Sequence, residues 1–87
     1  MAQSSPLASL MARVRESQAR YDAISPGIPE AMRGQVKPGP IDDKGWSLLA
    51  ANSAVASKLR QLLPEFEQSL LNRGWQGTPI RIRVQSG

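Results

Sequence analysis

QVKPGPIDDKGWSLLAAN, residues Gln35 to Asn52, holds two prolines two positions apart, the turn-forming Asp42-Asp43-Lys44-Gly45, and an apolar run closed by Ala51-Asn52. Its turn residues predict a β-hairpin over 35–51, with a type I turn closed by a glycine in the left-handed region. Pro38 and Pro40 both lack an N–H. At their spacing the two gaps point to one side of a strand, which leaves Lys37, Gly39 and Ile41 to pair on the other. The first strand is therefore predicted to be an edge, and any third strand must join beyond Trp46–Ala51.

That third strand is TPIRIRVQ, predicted over 78–85, with Thr78, Ile80, Ile82 and Val84 on a buried face and Pro79, Arg81, Arg83 and Gln85 on the other. A helical segment separates it from the hairpin, so it should lie parallel to Trp46–Ala51 by a right-handed crossover. The crossover helix is predicted over 53–73, capped by Asn52 or Ser53, with an apolar stripe of Val55, Leu59, Leu62, Phe66 and Leu70 widened by Leu63 and Leu71. Pro64 interrupts it at a cost of about 3 kcal/mol in a straight helix, which predicts a kink or two helices meeting near Leu63. The stripe stays in phase across Pro64, so both halves should face one core. Gly74 reads as the helix stop and Trp75 as its packing partner. The glycine-x-x-glycine of Gly74-Trp75-Gln76-Gly77 is then a turn.

Upstream, Leu7, Leu10, Val14, Tyr21 and Ile24 recur at steps of three and four, which predicts an amphipathic helix over 6–24 with Ser5 as N-cap and Pro6 in its first turn. Arg13, Arg15, Glu16 and Arg20 fall on its other faces and read as solvated. After Ser25-Pro26-Gly27, one or two further helical turns are expected from Pro29 to Arg33. The whole is a single α+β domain over 1–87: a three-stranded mixed sheet with helices packed on one face, and no internal repeat. With a helix pair after the hairpin, the order α-β-β-α-α-β is that of a type II KH-like fold. In that fold the glycine-x-x-glycine clamp joins the two consecutive helices. Here the junction reads Leu62-Leu63-Pro64-Glu65, without glycine and with a carboxylate that repels phosphate.

Composition narrows the function classes. The chain has 87 residues with neither cysteine nor histidine, which removes thiolate metal sites, disulfides, the commonest general base and the commonest zinc ligand. No enzyme activity, cofactor, metal or small-molecule substrate is expected. Asp42 and Asp43 are explained by the turn, Glu65 and Glu67 by a helix start after Pro64, and Ser47, Ser53 and Ser57 have no histidine to activate them. Apolar runs fall short of the roughly 20 residues of a membrane span, and the N-terminus has no signal pattern, so a cytoplasmic protein is expected.

Eleven basic residues stand against seven acidic ones, a net charge of +4. That surplus suits a polyanionic partner without requiring one. Arg81 and Arg83 share the exposed strand face, Lys37 lies on the proline edge, Arg33 precedes the hairpin, and Lys58 and Arg60 lie near the start of the long helix, where the dipole disfavours positive charge. These six are the candidate phosphate contacts, against the alternative that exposed arginines serve solubility and edge protection. Tyr21, Trp46, Phe66 and Trp75 are too few and too core-like for a base-stacking platform.

The stretch GWSLLAANSAVASKLRQLLPEFEQSLLNRGWQGTPIRIRVQ resembles the DciA family of bacterial helicase-loading proteins: a strand ending in Ala-Asn, the Lys58-Leu59-Arg60 helix, Pro64, Gly74 and the Ile-Arg-Ile-Arg-Val strand. The likeness covers about half the chain closely, and LASLMARV and IPEAMRGQV are similar in kind. It implies a KH-like module that binds single- or double-stranded DNA and cooperates with a DnaB-type replicative helicase at initiation. Family members generally continue past the last strand into a flexible basic tail that contacts the helicase. Two alternatives stand beside this expectation. One is a protein-interaction module in which the N-terminal helix and the proline edge dock on the helicase or another partner, and the other is a KH-like RNA-binding protein.

Overall fold

The computed structural model describes residues 6–75 and 79–85. Helix α1 spans Pro6–Ile24 and is followed by a 3₁₀ turn at Ser25–Gly27 and a 3₁₀ helix at Glu30–Gln35. Strands β1 (Val36–Asp42) and β2 (Gly45–Ala50), helix α2 (Ser53–Asn72) and strand β3 (Ile80–Val84) complete the chain. The sheet order is β1-β2-β3, with β1 antiparallel and β3 parallel to β2. The prolines thus place β1 on an edge and β3 on the far side, as expected. Ser5, Gln76, Gly77 and Thr78 lie outside the described residues, so neither the Ser5 cap nor the second half of the glycine-x-x-glycine is placed.

The expected α-β-β-α-α-β order is not found. A single helix, α2, runs through Pro64, and the order is α-β-β-α-β. Pro64 leaves the Arg60 carbonyl without its intrahelical donor. Both residues are exposed, so water can take that place, while Leu59 before the proline and Phe66 and Leu70 after it are held by one core. The Asn52 side chain accepts the Val55 N–H at 2.9 Å to start the helix. At the other end Gly74 takes φ 92, and the Gly74 and Trp75 N–H groups donate to the Leu71 and Leu70 carbonyls, each at 3.0 Å. This is the Schellman pattern, and Gly74 is a helix stop.

Directly paired residues share a sheet face, so Val36, Ala50, Leu48, Ile82, Trp46 and Ile80 look toward the helices. There they meet Ala23 and Ile24 of α1, Ile28, and Val55, Ala56, Leu59, Phe66 and Leu70 of α2. Besides Leu7, Leu10 and Val14 of α1, one member of the α2 stripe and one of the β3 stripe fall outside this core. Leu71 is exposed because it lies about a third of a turn off the centre of the stripe. Val84 is 44% exposed, its only neighbour across the ladder being the small Ala50.

The pairing of β1 corrects the sequence reading at one position. Lys37 faces Leu49 and Pro38 faces Leu48, but Ile41 faces Trp46, so Gly39 and Pro40 together oppose Ser47. This is a β-bulge. A one-residue shift exchanges sheet faces. Ile41 therefore does not share a face with Lys37, as the unbroken alternation implied, but turns to the core beside Trp46. Gly39 is needed here because a Cβ would come 2.9 Å from the Ser47 carbonyl oxygen.

Helix α1 meets the bulge through Ser17, which is 7% exposed. Its hydroxyl donates to the Gly39 carbonyl at 2.7 Å and accepts the indole Nε1–H of Trp46 at 2.9 Å. Tyr21 adds a longer bond from its hydroxyl to the Val36 carbonyl, 3.3 Å. Two carbonyls of the edge strand are thereby taken by α1.

Ser17→Ala is expected to destabilise the fold by about 1–3 kcal/mol, since it strands a buried indole N–H and a carbonyl together. Urea denaturation checks this, and a cycle with Trp46→Phe should show the two losses to be less than additive. Gly45→Ala should cost at least as much: Gly45 has φ 140, and a Cβ there would collide with the Pro79 carbonyl oxygen. The same denaturation assay reads that outcome.

Candidate nucleic-acid interface

The sheet face away from the helices is built by the remaining register. Lys37, Leu49 and Arg83 form one row across all three strands, and Ser47 and Arg81 form the next. Two strand spacings separate Lys37 from Arg83, about 9.6 Å between backbones, and Arg81 lies about 6.6 Å along β3 from Arg83. Arg83 and Lys37 are exposed, and Arg81 is half-buried. Arg81 and Arg83 were anticipated on the exposed strand face and Lys37 only on the proline edge, and the sheet brings these three together. No carboxylate occupies those rows, and among the described residues the ion pair is that of Arg20 with Glu16, so the three cations are uncompensated.

The other three candidates do not join them. Helix α2 covers the opposite face of the sheet, and Lys58 and Arg60, two residues apart, point about 200° from each other round its axis. They flank the helix on opposite sides and make no cluster. Arg33 belongs to the 3₁₀ helix, where its Nε–H donates to the Ile28 carbonyl at 3.2 Å.

All four aromatic residues are occupied elsewhere. Trp46 and Phe66 are in the core, Tyr21 is half-buried on Val36, and half-buried Trp75 lies under the Arg20 guanidinium, 5.5 Å from ring centroid to Arg20 Cζ. No ring remains on the cationic face, so a nucleic acid lying there would be held by its phosphates and not by stacked bases. The side chain of Asp42 accepts the Lys44 N–H at 2.8 Å, which gives it the turn role that its position suggested. Among the described residues there is no group of three or more acidic side chains that could hold a metal ion, and no helix is long and apolar enough to cross a membrane.

Three features escaped the sequence reading. Arg20, read as solvated, is 4% exposed, bonded to Glu16 through Nε at 2.9 Å and Nη2 at 2.7 Å. Ser17 carried a signal that was passed over: it fills the gap in the series Leu10, Val14, Tyr21 and Ile24, where an apolar residue belongs. A polar residue in such a row marks a buried hydrogen bond. The third is that the apolar face of α1 is covered only in its second half: Leu7, Leu10 and Val14, the part the docking alternative uses, are 65%, 58% and 60% exposed, with Met11 at 48%. The first half of α1 stands off β1 and leaves a groove of about 560 Å³ lined by Leu10, Arg13, Val14, Pro38, Ile41 and Leu49, among others.

The chain matches no family model, no curated protein and no solved structure.

Proposed function

We propose that this domain binds the phosphate backbone of DNA on its outer sheet face, as the non-catalytic DNA-binding module of a DciA-like helicase-loading protein. The observation that carries the reading is the outer-face cluster of Lys37, Arg81 and Arg83 with no carboxylate among them. Such a face gives weak, salt-sensitive, sequence-tolerant binding, because phosphate contacts position a nucleic acid without reading its bases. The KH-like reading of the fold belongs to the same proposal, with α2 uninterrupted where that fold has two helices and a clamp. In this role the partners are DNA and the DnaB-type replicative helicase, and the compartment is the cytoplasm.

One observation favours a second reading as a protein-docking module: the exposed Leu7, Leu10, Met11 and Val14 of α1. The two readings use different surfaces and can both hold.

Fluorescence anisotropy with labelled single- and double-stranded DNA over a salt series tests the first reading. Three phosphate contacts predict a log–log salt slope of about −2 on a single strand. Arg81→Ala, Arg83→Ala and Lys37→Ala should each weaken binding to unrelated sequences alike and flatten the slope by about 0.7. Lys58→Ala and Arg60→Ala should change affinity by less than about twofold. Absence of binding at low salt, or full affinity in the triple outer-face variant, would sink the reading.

A further inference from the structure

We infer that the groove between α1 and the bulged β1 receives a helical segment of a protein partner that is apolar along one stripe and acidic on its flanks. The inference rests on the protein-docking reading and adds the chemistry of what docks.

The groove is largely apolar, lined by Leu10 and Val14 from α1 and by Pro38, Ile41 and Leu49 from the sheet. Leu7 and Met11 extend its α1 wall, and the four α1 side chains recur at steps of three and four, so they form one continuous stripe. Contiguous exposed apolar surface of this kind marks an interaction site. A strand cannot add to β1 to cover it. Pro38 and Pro40 have no N–H to offer, and the Val36 and Gly39 carbonyls are already taken by Tyr21 and Ser17. A helix laid along the stripe needs no backbone donors from the chain and covers apolar side chains at matching intervals.

Charge selects the kind of helix. Arg13 lines the groove, and Arg15 lies on the other side of the stripe, roughly 160° from Arg13 through the exposed residues. No carboxylate precedes Glu16 in the described part of α1, and Glu16 is held by Arg20. Leu49 belongs to the groove and also to the cross-sheet row, so Lys37 and Arg83 stand beyond it. The one carboxylate of the lining, Asp42, sits at the hairpin end with an oxygen on the Lys44 N–H. Acidic flanks on the incoming helix meet this arrangement, and basic ones are repelled. The same charges disfavour a second copy of the chain, because two α1 helices paired along the stripe would gather the Arg13 and Arg15 of both copies at one interface with no carboxylate from residues 6–15 to offset them.

The test uses the full chain and two labelled peptides of about 18 residues with the same leucine stripe, one flanked by glutamate and one by lysine. Anisotropy titrations should show saturable binding of the glutamate peptide, a loss of about tenfold or more in the double variant Leu10→Glu, Val14→Glu, and a reversed peptide preference in Arg13→Glu. Both leucine-stripe positions are exposed, so circular dichroism should show the fold unchanged in the variants. Binding of neither peptide at about millimolar concentration would overturn both the inference and the docking reading. Equal or stronger binding of the lysine peptide overturns the acidic partner and leaves docking standing. Three further outcomes overturn the inference: undiminished glutamate-peptide binding in the double variant, a dimer in sedimentation that the double variant abolishes, or oligothymidylate binding that the double variant abolishes.

Discussion

A single hydroxyl, that of Ser17, joins three elements of this domain. It donates to the carbonyl of Gly39 in the β1 bulge and accepts the indole N–H of Trp46, the largest fully buried side chain. Helix α1, the edge strand and the central strand meet at that point. The arrangement is sensitive because the Ser17 hydroxyl and the Trp46 indole are buried, where an unmade hydrogen bond costs about 1–3 kcal/mol. Local chemistry accommodates the bulge. Pro38 and Pro40 remove two N–H donors, Gly39 tolerates the close approach of the Ser47 carbonyl, and the freed Gly39 carbonyl finds the serine.

From the bulge follow the faces of the sheet. The extra residue in β1 turns Ile41 inward to the core and leaves Lys37 outward, in the row of Leu49 and Arg83. Helix α1 touches the bulge at Ser17 and stands away from the strand in the turns before it, so Pro38 and Ile41 help to wall the groove. Two surfaces therefore adjoin across Leu49: a cationic sheet face with no aromatic ring, and an apolar groove bordered by arginines. Phosphates suit the first, where charge acts without base recognition. An amphipathic helix suits the second, where apolar burial supplies affinity and flanking charge supplies selectivity.

The buried Arg20 belongs to the same economy of interactions. Glu16 one turn before it and the face of the Trp75 ring beneath it accept its charge. Trp75 is placed there by the Gly74 stop, whose left-handed backbone turns the chain back on α2. A cation that helical periodicity assigned to solvent is thus drawn over a ring that lies 55 residues further along the chain.

Much of this was determined by the sequence alone, because it depends on neighbours along the chain. Proline spacing placed β1 at the edge, Asp42 to Gly45 set the hairpin, Asn52 and Gly74 bounded α2, and the alternation of β3 put Arg81 and Arg83 on one face. Sequence also limited the candidate chemistry, since the chain has no histidine or cysteine. Tertiary structure decided what depends on long-range packing. Apolar periodicity says which residues share a helix face, but not whether that face is covered, so only the structure decided that Ile24 is inside and Leu7, Leu10 and Val14 outside. Local proline cost predicted a kink or two helices at Pro64, and α2 runs on as one helix with both halves held by the core. The register shift in β1 was likewise invisible, because a bulge is a relation between two strands, and it alone decided that Lys37 would stand beside Arg83 while Ile41 turned away.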